Sequence, residues 1–213
     1  MVYLRLPGAY PWDVGTEDEV FSEDDGENWE GKRPEDLEFH LTPKDIALVR
    51  HMFPRLPPEL VTQILDLAEY WAYSQNTCSD FARFHNANTR YLRSEPIRGG
   101  EFTYPLRRLV VTTDSRDQGW SSYPESHGTR KNSWTWFELT LDDGETNDEI
   151  VRVEVMRNIH AGSIFEKHQA VIEDGRILRQ ARKGDRLSVW VRAMHPGWCN
   201  HVQSVKIEVW SAC

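Results

Sequence analysis

Between Thr112 and Leu139 the chain runs TTDSRDQGWSSYPESHGTRKNSWTWFEL. Arg116, Asp117, Gln118, Gly119 and Trp120 crowd into one turn-rich loop, and Trp134, Trp136 and Glu138 alternate along the next strand. An indole beside amide, carboxylate and guanidinium groups suits a sugar face or a partner's apolar side chain. The ring supplies contact area and the polar neighbours fix orientation. Gly197-Trp198, with Asn200 two residues on, repeats the pattern near the C-terminus. If the strands before the two loops run toward one end, the loops meet there and form a single recognition site. A structural role uses the same residues: Gly permits the turn, Trp plugs the end of the domain, and Asp or Asn caps backbone amides. Along SWTWFEL, Thr135, Phe137 and Leu139 are expected to face the core. Trp134, Trp136 and Glu138 then share the other face, as a ligand platform or as packing with Glu138 held by an Arg.

Other chemistries find less support. Asp114, Asp117, His127, Glu138, His160, His168 and His195 could ligate a metal, but no HExxH or calcium-loop spacing joins them, so no metal site is expected. Ser115, Ser121, Ser122 and Cys199 are the nucleophiles nearest the motifs. None sits in a GxSxG elbow, and Cys199 has no base beside it in sequence. Asp117 with Glu138 is the carboxylate pair glycoside hydrolysis would need, a weak sign among 34 acids. No catalytic residue and no cofactor is expected.

Charge narrows the partners. Residues 1–40 hold twelve Asp or Glu against Arg5, Lys32 and Arg33, so the formal charge of −9 belongs to that segment; residues 41–213 hold 22 charges of each sign. No long basic run is present to track phosphates, which argues against nucleic acid. Three irregularly spaced cysteines argue against a disulfide framework. MVYLRLPGAYPW has neither the basic nor the apolar region of a signal peptide, and no apolar run reaches the roughly 18–20 residues that span a bilayer. The expectation is a cytoplasmic or nuclear protein with no membrane association, whose partner is another protein or a glycan.

The elements that would position these residues fall into three parts. Residues 1–40 read as an acidic, extended, partly disordered arm, with Trp12, Phe21 and Trp29 as anchors. Residues 41–100 read as a helical segment. One helix starts in LTPKDIALVRHMF, capped by Thr42 with Pro43 and Asp45. A second begins at Pro58, striped by Leu60, Val61, Ile64, Leu65, Ala68, Trp71 and Ala72, and SDFARFH suggests a short third. Residues 101–213 switch to period-two alternation in six or more short strands, with EDGR at 173–176 as a tight turn. Val151, Val153 and Val155 oppose Arg152, Glu154 and Met156; Val189 and Val191 oppose Trp190; Val205, Ile207 and Val209 oppose Trp210. The fold expected is mostly β: an antiparallel β-sandwich of the jelly-roll type, with helices packed on one side over the outward Trp190 and Trp210.

The motifs DQGWS, GT…SWTWFE, the NxHA segment at Asn158–Ala161 and PGWxN resemble an uncharacterised family of fungal proteins over residues 106–210. Cys199 inside the PGW turn departs from the pattern. The strand order is similar to galactose-binding-like jelly rolls. That likeness implies ligand or partner binding by end loops, and His160 joins the candidate ligand-binding residues through the NxHA segment. RLPPELVTQILDLAEYW resembles the first helix of an F-box, which implies docking to a ubiquitin-ligase subunit. The expected function is a non-enzymatic binding module acting through the Gly-Trp loops. Its alternatives are an F-box-like adaptor and a metal-dependent jelly-roll enzyme.

Overall fold

The computed structural model describes residues 40–99 and 104–212. The acidic arm with Trp12, Phe21 and Trp29 lies outside the described residues. Among the described residues, nine strands build two antiparallel sheets. One has the order β1 (Ala72–Cys78), β9 (Cys199–Ser211), β4 (Leu106–Arg116), β7 (Glu166–Val171), with β2 (Ala82–His85) on the first part of β9. The other has the order β3 (Ala87–Arg93), β8 (Arg186–Ala193), β5 (Thr135–Asp142), β6 (Glu149–Arg157). From β2 onward the chain changes sheet at every connection except the β5–β6 hairpin, giving a β-sandwich with jelly-roll connectivity.

Alternation explains the core. Leu109 and Val111 of β4, Phe137, Leu139 and Leu141 of β5, Leu187, Val189 and Val191 of β8, and Val205 and Ile207 of β9 are fully buried between the sheets. Each such side chain contributes about 1.5–3 kcal/mol by leaving water. One strand breaks the simple pattern. The β5–β6 register shifts after Phe137, which pairs with Met156, while Glu138 pairs with Glu154. The extra residue is a bulge that switches the face taken by the residues beyond it, so Met156 packs against the core rather than opposite it.

The helical segment is shorter than its apolar stripe suggests. Helix α1 (Pro43–His51) opens on a capping box: Thr42 N–H donates to Asp45 at 2.8 Å and Asp45 N–H to the Thr42 hydroxyl at 3.4 Å. Helix α2 (Pro58–Leu67) stops where Glu69 takes a φ of 52°, and Ala72 already begins β1. Val61 and Leu65 join Ile46 and Ala72 in a small separate core, while Leu60 and Ile64 stay exposed. Residues 72–93 supply three strands, and SDFARFH holds β2 instead of a helix. Seven register pairs between β1 and β9 outweigh the weak local preference of that stretch.

Two further expectations change. EDGR is no hairpin turn: Asp174 caps α3 (Gly175–Gln180), whose Ile177 is fully buried in the main core. Trp190 and Trp210 lie in opposite sheets, so one helical layer cannot cover both. The Arg152 guanidinium lies 4.5 Å from the Trp190 ring centroid. Arg108 and Tyr73 pack on Trp210, at 5.0 and 5.1 Å. The helices sit beside the larger sheet instead, where Asp66 of α2 pairs with Arg107 of β4 at 2.7 Å. Among the described residues no helix is long and apolar enough to cross a membrane.

Candidate functional site at the Gly-Trp end

The loop after β4 and the loop between β8 and β9 lie together at one end of the sandwich. Both glycines hold backbone angles that disfavour side chains, with φ of 90° at Gly119 and 91° at Gly197. A Cβ on Gly119 would come within 3.2 Å of Ser163, and one on Gly197 within 3.7 Å of the Trp120 ring. Gln118 clasps the two loops. Its amide donates to the Trp120 carbonyl at 2.8 Å, and its carbonyl accepts from Cys199 N–H at 3.3 Å.

Between them opens a cleft of about 440 Å³ lined by Gln118, Trp120, Ser121, Ser122, Tyr123, Trp134, His195, Pro196, Gly197 and Trp198. The indoles divide the work. Trp198 is half-buried, edge-on to the buried His160 at 5.1 Å, and seals the end. Trp120 is 61% exposed, and Trp134, 36% exposed, meets His195 edge-on at 4.5 Å. Tyr123 is also exposed. Tyr123 and His195 complete the aromatic lining. Sequence patterns hint at them only through their closeness to the Gly-Trp pairs.

Beneath the cleft lies a buried polar network. Asp117, fully buried, accepts from Gln118 N–H (2.9 Å), Thr135 hydroxyl (3.1 Å) and Ala161 N–H (2.9 Å). Burial pushes its carboxyl above the ordinary carboxylate range, against the pull of those donors and His160. Asn158 donates to Thr135 and to Asn200 Oδ1 (3.0 and 2.9 Å) and accepts from Ser115 (2.8 Å); Asn200 donates to the carbonyls of Trp136 and Arg192. These groups join β4, β5, β9 and the 158–161 loop. Asp117, Asn158, Asn200 and His160 are therefore scaffold, with no surface for a ligand. His160 donates from Nδ1 to the Lys131 carbonyl at 3.1 Å, while its Nε2 is buried with no partner among the described residues.

Trp136 and Glu138 stand apart from Trp134, which precedes β5 and turns into the cleft. Trp136 is buried under Arg157 and Arg192, at 5.0 and 5.2 Å, and donates to Glu138 at 2.7 Å; Glu138 pairs with Arg152 at 2.8 Å and Arg192 at 3.4 Å. The three do not form one platform. Arg116 likewise leaves the cleft and lies over the Phe165 ring at 5.1 Å. Burial holds the Cys199 thiol above its usual range, which suits an inert side chain. Among the described residues no group of three or more His, Cys, Asp or Glu side chains is placed to hold a metal ion.

The chain matches no protein-family model and no curated protein.

Proposed function

We propose that this protein is a non-enzymatic binding module that takes a carbohydrate on the aromatic shelf of the Gly-Trp cleft. One observation carries this: Trp120 is 61% exposed at the meeting of two loops that Gln118 has already closed. A side chain needed only to plug the sandwich would be buried, as Trp198 largely is. Trp120, Tyr123 and Trp134 offer ring faces, while Ser122, Tyr123 and His195 bring hydroxyl and imidazole groups to the same space. The cleft's size lies in the range of small-ligand sites. Comparing wild type, Trp120→Ala and Trp198→Ala on a glycan array, with thermal melts alongside, tests the assignment. Selective loss of one glycan class in Trp120→Ala, at an unchanged melt, is the expected result. No glycan bound by wild type would end the carbohydrate assignment.

A second function, an F-box-like adaptor, is favoured by the exposed apolar positions Leu48, Leu60, Ile64 and Leu67 on the two helices and Met52 just after the first. Leu65 cannot report on docking because it is buried in the small core, and its truncation costs about 2–5 kcal/mol locally. Leu60→Ala with Ile64→Ala changes stability little and should abolish copurification of a Skp1-like subunit. Retention of that subunit by the double variant rules the adaptor out.

A further inference from the structure

The outer face of the larger sheet carries a row of basic side chains across three strands. Arg83 of β2 is paired with His201 of β9, and His201 with Arg116 of β4. His85, two residues beyond Arg83, shares its face. The two guanidiniums thus flank one imidazole from either side. Arg107, Arg152, Arg157 and Arg192 each pair with a carboxylate. Among the described residues neither Arg83 nor Arg116 has one within ion-pair distance. Asp117, adjacent to Arg116, is buried with both oxygens engaged.

The donors converge. Arg83 lies 5.6 Å from the Phe81 ring and Arg116 5.1 Å from Phe165, and those rings meet edge-on at 6.2 Å. Arg116 Nη2 is 3.3 Å from His201 Nδ1. A guanidinium can only donate, so Nδ1 accepts and the ring's remaining proton sits on Nε2 as a further donor. Burial, with Arg116, Arg83 and His85, pushes His201 down to about 4, so the ring is neutral at physiological pH.

We propose that the Arg83–His201–Arg116 row binds a single phosphate monoester carried by an extended peptide. Arg116 is oriented by the Asp117 carbonyl at 3.1 Å as well as by His201, and two guanidiniums with an imidazole N–H between them suit a phosphate oxyanion. A chain of net charge −9 with so short a cationic row is poorly built to track a nucleic-acid backbone. β2 pairs only with β9 among the described strands, so its other edge offers backbone groups to an added strand. Phe81, 55% exposed, stands beside it for a flanking side chain.

The test is fluorescence anisotropy with a labelled pentapeptide of valine and threonine around a central phosphoserine, its unphosphorylated twin, and a single-stranded oligonucleotide. The full-length protein and its Arg83→Gln and Arg116→Gln variants are compared, with melts recorded for each. Saturable binding of the phosphopeptide only, weakened about tenfold or more in either variant, is the expected result. Arg83 is exposed, so Arg83→Gln should fold with an unchanged or higher melting temperature. Equal binding of the twin, preference for the oligonucleotide, unaffected variants, or no saturable binding at millimolar peptide would each overturn the proposal.

Discussion

Gln118 and Cys199 are joined across the end of the sandwich: the Gln118 carbonyl accepts from Cys199 N–H at 3.3 Å, while the Gln118 amide holds the Trp120 carbonyl at 2.8 Å. One side chain thus fixes the loop after β4 to the start of β9 and sets the backbone from which Trp120 projects. Replacing Gln118 with Ala should lower unfolding free energy by about 1–2 kcal/mol through two lost hydrogen bonds. Ligand binding should weaken as well, because the shelf is no longer held. Gln118→Glu keeps the acceptor and should retain more stability than Ala in urea titrations. Equal losses in the two variants would show that a carboxylate oxygen set against the Trp120 carbonyl costs as much as the retained Cys199 bond contributes.

The buried network makes a stronger demand. Asn158→Ala removes partners from Ser115, Thr135 and Asn200 together, all three fully or almost fully buried. Stranded buried polar groups cost about 1–3 kcal/mol each, so a loss of at least about 2 kcal/mol is expected by chemical denaturation. Asp117→Ala, which strands the N–H groups of Gln118 and Ala161 and the hydroxyl of Thr135, should be of similar size. A loss under about 0.5 kcal/mol in both would mean that water replaces the missing partners.

Acid should weaken the fold through His201. The unfolded ring takes its proton near 6.5, whereas burial and the neighbouring cations hold the folded ring down to about 4. Between those values the unfolded chain binds the extra proton. This contribution is whole above pH 6.5 and is lost as pH falls toward 4. His168 is lowered too, by burial and then by Arg130, so His201→Gln should flatten the acid slope without removing it. Urea unfolding at pH 7.5, 6 and 5 decides the point; parallel slopes for wild type and variant would refute it.

Local pattern already determined much of this protein. Val189, Val191, Val205 and Ile207 alternate with polar or aromatic neighbours because a strand between two sheets must bury every second residue, and that period is written in the chain. The Thr42–Asp45 cap is equally local, since its partners lie three residues apart. Gly119 and Gly197 announce turns because few other residues hold their backbone angles.

Tertiary structure decided the rest. Whether Ala72 continued a helix or began a strand depended on β9, more than a hundred residues away. The fate of each indole depended on neighbours invisible in its own segment. Trp136 is buried by Arg157 and Arg192, Trp198 leans on His160, and Trp120 has no such cover among the described residues. The row Arg83–His201–Arg116 has no sequence signature at all, because strand register alone brings those three positions side by side. Periodicity records which face a residue takes, but only the packed sheets determine what stands on the other side of it.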